Sequence, residues 1–395
     1  MAKYPRVREQ HVAVFGESGS GKTVLVSSFF GPTQEGSYSN DLWDLVADDT
    51  GQGNRLYQNY LGMRDRATAP APTRFAATTY YFSVKLKGGL NAAAKKQPFD
   101  ALRLAWHDYP GEWFEESPSS EEEANRRIDT FRSLLRSDVA IFLVDGQKLL
   151  DYAGEEERYL KSLMTNFRQG LLRLKEDLLA NEDRLIEFPR IWIMALSKAD
   201  LFPSWDVDTF RDLLIGTAAE HMDGLRTTLK DFVDTPEALS LGEDFMLLSS
   251  AKFELSSASS GPVEIDVTKR VGLNLILPVT SLLPLERRVQ WNERMDVPLK
   301  VLNTLAEGAD QLAAALTGGK FPAVEKLVAK VPKLGPMASK AAVPALTAAV
   351  QMAGSQLKEM NIQAREKGDY LRATLTQFKL DLDQGVAERL IRSPK

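Results

Sequence analysis

A segment near the start of the chain, Gly16-Glu17-Ser18-Gly19-Ser20-Gly21-Lys22-Thr23, has the residue types that bind a phosphate group. Its glycines allow successive backbone N–H groups to curl around an anion, and Lys22 can reach the outer phosphates of a nucleotide. The Thr23 hydroxyl can ligate Mg²⁺.

This segment follows an apolar run at 11–15 and precedes a helix-compatible run that starts at Val24. The positive end of a new helix attracts an anion as well. We therefore predict a strand, a phosphate-binding loop and a helix, with residues 16–24 contacting phosphate. A chance glycine-rich turn is the alternative, which both flanking patterns disfavour.

A second polar segment, Asp108-Tyr109-Pro110-Gly111, follows an apolar run at 101–106 and carries a D-x-x-G pattern. Asp108 would hold Mg²⁺ through a water, and the Gly111 N–H would contact the γ-phosphate. A solvated Asp-Pro-Gly turn is the alternative. The position after a strand and downstream of the phosphate loop favours the nucleotide role.

Two later segments carry residues that can recognise guanine. Ser197-Lys198-Ala199-Asp200 matches the pattern N/T-K-x-D, with Ser in the first position. The Asp200 carboxylate can accept from guanine N1–H and the 2-amino group, an edge that adenine lacks. Lys198 would lie along the base. In Ser249-Ser250-Ala251-Lys252, a backbone N–H of Ser250, Ala251 or Lys252 would reach guanine O6. A structural turn remains the alternative for each segment.

A Mg²⁺-sensing threonine is expected between the phosphate loop and Asp108, and Thr78-Thr79 fit this position. Either hydroxyl could ligate the ion, and we favour Thr79. The alternative is a β-prone pair that begins a strand.

Together, GESGSGKT, TT, DYPG, SKAD and SAK resemble the translation-factor-related (TRAFAC) class of P-loop GTPases, over about 11–252. The run Asp-Tyr-Pro-Gly-Glu-Trp resembles the YcjX-like and bacterial double-GTPase branch. The resemblance implies a Rossmann-like sheet, binding of GTP or GDP with Mg²⁺, slow hydrolysis, and switch segments that respond to the γ-phosphate. Potassium activation is not expected, because Gly19 stands where potassium-dependent members carry asparagine.

The resemblance also assigns catalytic candidates beside Lys22. Glu112 stands where the usual catalytic glutamine follows the glycine, and it could orient the attacking water. The negative charge of Glu112 could instead impair catalysis. Alternatively, Glu112 could be a surface residue that pairs with a lysine or an arginine. Arg74 stands where some GTPases carry an arginine finger in the same chain, although Arg64 and Arg66 compete and other members borrow this arginine from a partner.

The chain as a whole reads as an α/β protein: a P-loop GTPase with a Rossmann-like, mostly parallel sheet and helices on both faces, plus an α-helical C-terminal appendage. Strand 80–86 alternates in polarity and is predicted as an antiparallel edge, and the segment 41–61 as a helix. The predicted strands lie at 11–15, 80–86, 101–106, 138–144, 190–196 and 244–248, and further helices at 121–136 and 154–181.

Two regions extend this minimal plan. The segment 32–77 is long for a first switch and could form a lid or a partner surface. Beyond 286 the pattern is helical, with predicted helices at 299–316 and 321–331 and a long Ala-rich helical stretch at 336–392, in which Pro344 could mark a kink or the start. We therefore predict a GTPase domain at 1–285 and a helical domain at 286–395.

Composition narrows the function classes. The chain has 395 residues, a net charge of −5, no cysteine and three dispersed histidines. These values disfavour general nucleic-acid binding and exclude disulfides and thiolate metal sites. The N-terminus has no apolar signal core and no stretch has the length and apolarity of a membrane span, so we expect a cytoplasmic protein.

The sequence leaves three functional hypotheses. The first is a GTPase switch that couples nucleotide state to a protein partner through its switch regions or helical C-terminus. The second is a nucleotide-binding interaction protein with negligible hydrolysis. The third is a peripheral membrane effector that uses the Ala-rich segment 335–353. A tightly packed helix bundle is the alternative for that segment, and Lys340 favours it.

Overall fold

The computed structural model describes most of the chain. The described residues are 7–70, 77–87, 99–114, 116, 118–179, 184–185, 188–254, 264–294, 309–317, 349–386 and 389–391. Within these ranges, none of the helices combines the length and apolarity needed to cross a membrane.

A large mixed sheet organises the fold. Its strands are β1 (Val7–Phe15), β2 (Trp43–Ala47), β3 (Thr78–Leu86), β4 (Ala101–Asp108), β5 (Val139–Asp145), β6 (Ile191–Ser197), β7 (Asp244–Leu247) and β10 (Leu390–Ile391), and a separate hairpin joins β8 (Lys252–Glu254) to β9 (Glu264–Asp266). The eight strands of the sheet lie in the order β10-β7-β6-β5-β1-β4-β3-β2.

The centre of the sheet is parallel and its margins are antiparallel. The strands from β7 to β4 pair in parallel, whereas β3 and β2 on one side and β10 on the other pair in antiparallel fashion. Every residue of β5 and β6 is buried. Continuous apolar strands of this kind require helices on both faces.

Ten α-helices are seen in the described residues. They are α1 (Lys22–Phe30), α2 (Thr50–Arg66), α3 (Glu121–Leu134), α4 (Gly146–Asp151), α5 (Glu156–Leu178), α6 (Val207–Lys230), α7 (Ile276–Arg294), α8 (Ala309–Thr317), α9 (Gly354–Glu366) and α10 (Tyr370–Gly385). The core on one face combines Val12 and Val14 with α1, α7, α8 and α10. The other core combines Ala13 and Phe15 with α3, α5 and α6. The predicted α/β architecture is confirmed.

The segment predicted as a helix at 41–61 instead forms β2 and the start of α2. The helix begins only after Asp49, whose carboxylate accepts a hydrogen bond from the Gln52 N–H and caps it. Strand β3 is antiparallel as predicted but is not the edge, because β2 pairs on its outer side.

The C-terminal region differs in part from its prediction. The helical stretch predicted at 336–392 is interrupted, because α9 and α10 are separated by a turn at Gly368, whose φ is +66°. Residues 336–348 of that stretch, with Pro344, lie outside the described residues. The chain then returns to the sheet, where β10 pairs with β7. The predicted helix at 321–331 lies outside the described residues.

Helix α7 joins the C-terminal region to the sheet. It runs from Ile276 to Arg294, so the predicted domain boundary at 285/286 falls inside a helix. Glu286 pairs with Lys379 of α10 at 2.9 Å, and Arg287 forms a buried ion pair with Asp244 of β7. The two-domain division stays a prediction, and these contacts describe how the two regions meet.

Candidate functional site

The predicted phosphate loop lies between β1 and α1. Gly19 and Gly21 have φ values of +80° and +90°, a conformation that favours glycine. Helix α1 begins at Lys22, directly after the loop. The loop therefore has the strand–turn–helix context that phosphate binding requires.

Lys22 lies at the centre of this loop. Its Nζ donates to the carbonyl oxygens of Gly16 at 2.7 Å and Glu17 at 2.9 Å. The ammonium also lies 5.2 Å from the centre of the Tyr109 ring. The side chain is buried, so its charge is held where a nucleotide phosphate would be bound.

Thr23 and Asp108 form the candidate metal site. The Thr23 hydroxyl donates to Asp108 Oδ2 at 2.9 Å. Asp108 is buried, and its Oδ1 has no hydrogen-bond partner among the described residues. Burial raises the pKa of Asp108, while the charges of Lys22 and Arg55 and the Thr23 hydrogen bond act in the opposite direction. A buried carboxylate oxygen beside a hydroxyl suits Mg²⁺, which prefers oxygen ligands.

The two threonines at the start of β3 face different surroundings. Thr78 pairs in register with Asp108, and Thr79 pairs with His107. Side chains alternate along a strand, so Thr78 shares the face of Asp108 and Thr79 takes the opposite face. The Thr79 hydroxyl lies 3.0 Å from His107 Nδ1. The sequence favoured Thr79 as the metal ligand, whereas this geometry favours Thr78.

His107 is held neutral in this arrangement. Burial and the neighbouring His11 lower its pKa to about 3. Its Nε2 lies 3.0 Å from His11 Nδ1, and His11 Nε2 lies 3.0 Å from a carboxylate oxygen of Glu9. Thr79 is thus tied to a polar chain on the face of the sheet opposite Asp108.

The segment after Asp108 packs directly on the phosphate loop. A Cβ atom added at Gly111 would lie 2.3 Å from the backbone nitrogen of Ser18, so only glycine fits there. The Ser18 hydroxyl donates to Glu112 Oε1 at 3.3 Å, and the Gly16 N–H donates to the Tyr109 hydroxyl at 2.9 Å. Within the described part of the chain, the buried Oε2 of Glu112 has no partner.

The segments predicted to recognise guanine meet the phosphate loop at a cavity of about 320 Å³. Asp200 Oδ1 accepts from the Ser249 hydroxyl at 2.5 Å. Lys198 has a φ of +54°, and its Nζ lies 2.8 Å from Asp145 Oδ1. The cavity is lined by residues of five separate segments: Gly19, Ser20, Gly21, Val24, Leu25, Ala69, Gln147, Ser197, Lys198, Asp200, Leu201, Ser249 and Ser250.

Some predicted residues lie beside the cavity without lining it. Ala251 is buried, and its carbonyl lies 2.6 Å from the Ser249 hydroxyl. Lys252 begins β8 and pairs in register with Asp266. Ser197 does line the cavity, and its hydroxyl donates to the Val144 carbonyl. Arg74 lies outside the described residues.

Three charged residues of the site were missed by the sequence reasoning. Asp145 ends β5, caps α4 and binds Lys198. Lys148 of α4 binds Oε2 of Glu17 in the phosphate loop at 2.7 Å. Arg55 of α2 lies over the Tyr80 ring, 5.9 Å from its centre. Only Asp145 carried a signal in the sequence, as the first polar residue after a buried strand.

The sheet with a phosphate loop after its first strand, and the D-x-x-G and S-K-x-D segments at the ends of β4 and β6, define the P-loop GTPase fold. A family model, that of Double-GTPase 2, matches residues 10–223. The chain belongs to this family, which confirms the resemblance to the double-GTPase branch. No curated protein matches the chain. Family membership suggests GTP binding and hydrolysis.

Proposed function

We propose that the protein is a Mg²⁺-dependent, GTP-hydrolysing switch of the TRAFAC class. The observation that carries this proposal is the cavity shared by Gly19 and Gly21 of the phosphate loop with Lys198 and Asp200. A nucleotide that placed its phosphates in the loop would bring its base to Asp200. A carboxylate at this position favours guanine over adenine.

The residues of the site have separate roles in nucleotide binding and hydrolysis. The loop amides and Lys22 bind the phosphates, and Asp200 and Lys198 hold the base. Thr23, Asp108 and Thr78 would hold Mg²⁺, which supplies positive charge at the phosphates. Glu112 is the candidate for orienting the attacking water, because its buried Oε2 can accept a hydrogen bond from that water.

The C-terminal helices are the proposed surface through which the nucleotide state is transmitted to a protein partner. Leu25 and Phe29 of α1 share one hydrophobic core with Leu375 and Phe378 of α10. Helix α1 starts at Lys22, so a movement at the phosphates would reach α10 through packed side chains. The first switch, which includes β2 and α2, is a second candidate surface for a protein partner.

A nucleotide-binding interaction protein with negligible hydrolysis is the second candidate. The observation that favours it is the contact between Glu112 and Ser18, which places a carboxylate close to the phosphate loop. Negative charge at this position opposes the build-up of charge on the transferred phosphoryl group. Turnover by the isolated protein separates the two candidates.

Direct nucleotide binding tests the proposal. The purified protein, freed of nucleotide, is titrated with fluorescent GTP and ATP analogues in Mg²⁺ and in EDTA. We expect tighter binding of GTP, dependence on Mg²⁺, and loss of binding in Lys22→Ala. Lys161→Ala is the control, because this lysine lies on α5 and pairs only with Glu157 among the described residues. Equal binding by Lys22→Ala and the parent would overturn the loop assignment.

A further inference from the structure

A second cavity, of about 580 Å³, lies away from the nucleotide site. Its walls come from the end of α1, the segment 38–45 that includes the start of β2, the segment 268–277, and helices α9 and α10. It shares no lining residue with the cavity beside the phosphate loop. The regions predicted as a switch insertion and a helical appendage therefore enclose it together.

The floor of this second cavity is apolar. Phe29, Leu45, Leu277 and Phe378 line it, and all four are buried members of one core. Trp43 stands edge-on to Phe378, with 6.2 Å between the ring centres. Ligand cavities combine such a floor with a small number of polar groups that fix orientation.

Three arginines supply the polar groups: Arg270, Arg365 and Arg389. Arg270 donates to the Ser28 carbonyl at 3.2 Å, and Arg365 donates through Nε to the Asn361 side chain at 2.8 Å. These contacts are with neutral oxygens, which leaves guanidinium charge uncompensated by them.

The two carboxylates of the cavity offset this charge only in part. Asp41 stands at the rim with its side chain 83 % exposed, and lies 4.0 Å from Arg365. Asp381 accepts a hydrogen bond from Gln377 at 2.9 Å, and burial raises its pKa. Three cations thus face one exposed carboxylate and one whose charge is disfavoured by burial.

We propose that the second cavity binds a small organic anion with an apolar body, its anionic group on the arginines and its body on the floor of Phe29, Trp43 and Phe378. Guanidinium groups bind planar and tetrahedral anions through paired hydrogen bonds. The volume lies within the range of ligand cavities in proteins.

A ligand in the second cavity would contact two elements that lead to the nucleotide site, helix α1 and strand β2. Phe29 lies near the end of α1, which begins at Lys22. Trp43 and Leu45 lie in β2, which pairs with β3, and β3 begins at Thr78. The anion is therefore placed to bias the two elements that hold phosphate and metal, and by linkage nucleotide would alter the affinity for the anion.

The test uses the full-length protein saturated with GDP and Mg²⁺ and the dye anilinonaphthalene sulfonate, an aromatic anion. We expect bound-dye fluorescence that decanoate displaces and inorganic phosphate does not. In Arg270→Gln/Arg389→Gln, decanoate affinity should fall about ten- to a hundredfold, the scale of charge-assisted hydrogen bonds. Arg365→Gln, at the rim, should weaken binding without any effect on the thermal midpoint.

Matched variants separate this proposal from the proposed GTPase function. Arg211→Gln is the control, since this arginine pairs with Asp208 and Asp212 on α6. Lys22→Ala, which we expect to remove nucleotide binding, is compared with the parent freed of nucleotide and should bind dye and decanoate as that parent does, so failure of the GTPase proposal would leave this one standing. Three results would each overturn the proposal that the second cavity binds an organic anion. They are loss of dye binding in Lys22→Ala, unchanged decanoate affinity in the arginine variants, and displacement of the dye by phosphate as effective as that by decanoate.

Discussion

The Ser18 hydroxyl donates a hydrogen bond of 3.3 Å to Glu112, and this contact joins the phosphate loop to the segment that follows Asp108. It places the carboxylate of Glu112 beside the backbone that would surround the phosphates. One oxygen is used by Ser18, and the other is buried without a partner among the described residues. A buried acceptor of this kind is costly unless a ligand or water satisfies it.

Replacement of Glu112 tests its role in orienting water. We expect Glu112→Ala to lower kcat for GTP about a hundredfold and to leave GTP affinity near that of the parent. A loss confined to the transition state appears in kcat and not in ground-state binding. Single-turnover hydrolysis and equilibrium titration measure the two quantities.

Glu112→Gln is the matched variant, because it keeps the shape and an acceptor oxygen but removes the charge. Turnover at or above that of the parent would show that position matters more than charge. If Glu112→Ala hydrolyses GTP at the parent's rate, catalysis does not depend on this residue.

Substitution of Gly111 tests the close approach of the phosphate loop and the segment that follows Asp108. An added Cβ would lie 2.3 Å from the Ser18 nitrogen, so backbone must move in Gly111→Ala. We expect weaker discrimination between GTP and GDP and slower turnover, with GDP affinity less affected. Gly216→Ala on α6 is the control, because its Cβ meets open space and alanine favours a helix. Parent-like ratios of GTP to GDP affinity in Gly111→Ala would contradict the proposed contact with the γ-phosphate.

Arg55 is a second candidate for an arginine finger supplied by the same chain, in addition to the predicted Arg74. Such an arginine stabilises the charge on the phosphoryl group in the transition state. It lies over Tyr80, and its charge opposes the upward effect of burial on the pKa of Asp108. We expect Arg55→Ala to lower turnover by up to about 10³-fold, the scale of arginine fingers. Stopped-flow measurement of phosphate release follows this step.

Arg64→Ala is the control on the same helix, because Arg64 binds Glu35 and Asp65 at the surface. Unchanged turnover in Arg55→Ala, together with a loss in Arg74→Ala, would assign the role to Arg74. Unchanged turnover in both would leave this charge to a partner or a second copy of the chain.

Asp200 should decide the choice of base. In Asp200→Asn the amide cannot accept from both guanine donors, so GTP affinity should fall far more than ATP affinity. Xanthosine triphosphate offers an acceptor where guanine has its amino group, and the asparagine NH₂ should favour it. Competition against a fluorescent GTP analogue measures all three nucleotides. Equal losses for GTP and ATP would indicate an ATP-binding site.

The motifs that the sequence predicts correctly are those with strong local constraints. The glycines at 19 and 21 need positive φ, and the strand that precedes them ends in a continuous apolar run, so both could be predicted from the sequence alone. Strand β2 could not, because it has only five residues directly before a capped helix, and it is held in the sheet by its pairing with β3. Strand β10 has two residues and is held by its pairing with β7, a long-range contact that no local pattern encodes.

The site residues that the sequence did not predict also depend on long-range contacts. Lys148 and Arg55 lie on helices, where a charged residue is ordinarily a solvated surface residue. Their significance comes from the tertiary contacts with Glu17 and Tyr80, which depend on how α4 and α2 pack. The register of β3 against β4 likewise decides between Thr78 and Thr79, and register is a property of the sheet.

The buried ion pair between Arg287 and Asp244 should control the stability of the whole fold. It joins α7 to β7, and both side chains are almost fully buried. Arg287→Met would leave the Asp244 carboxylate buried without its cation, with a hydrogen bond from Ser240 remaining. We expect a loss of about 3–5 kcal/mol in the free energy of unfolding, measured by urea denaturation.

The double variant Arg287→Met/Asp244→Asn should recover part of this loss, because the uncompensated charge is removed. Arg211→Gln, which breaks a surface ion pair, should cost less than about 1 kcal/mol. A loss as small as that in Arg287→Met would mean that this ion pair does not control the stability of the fold.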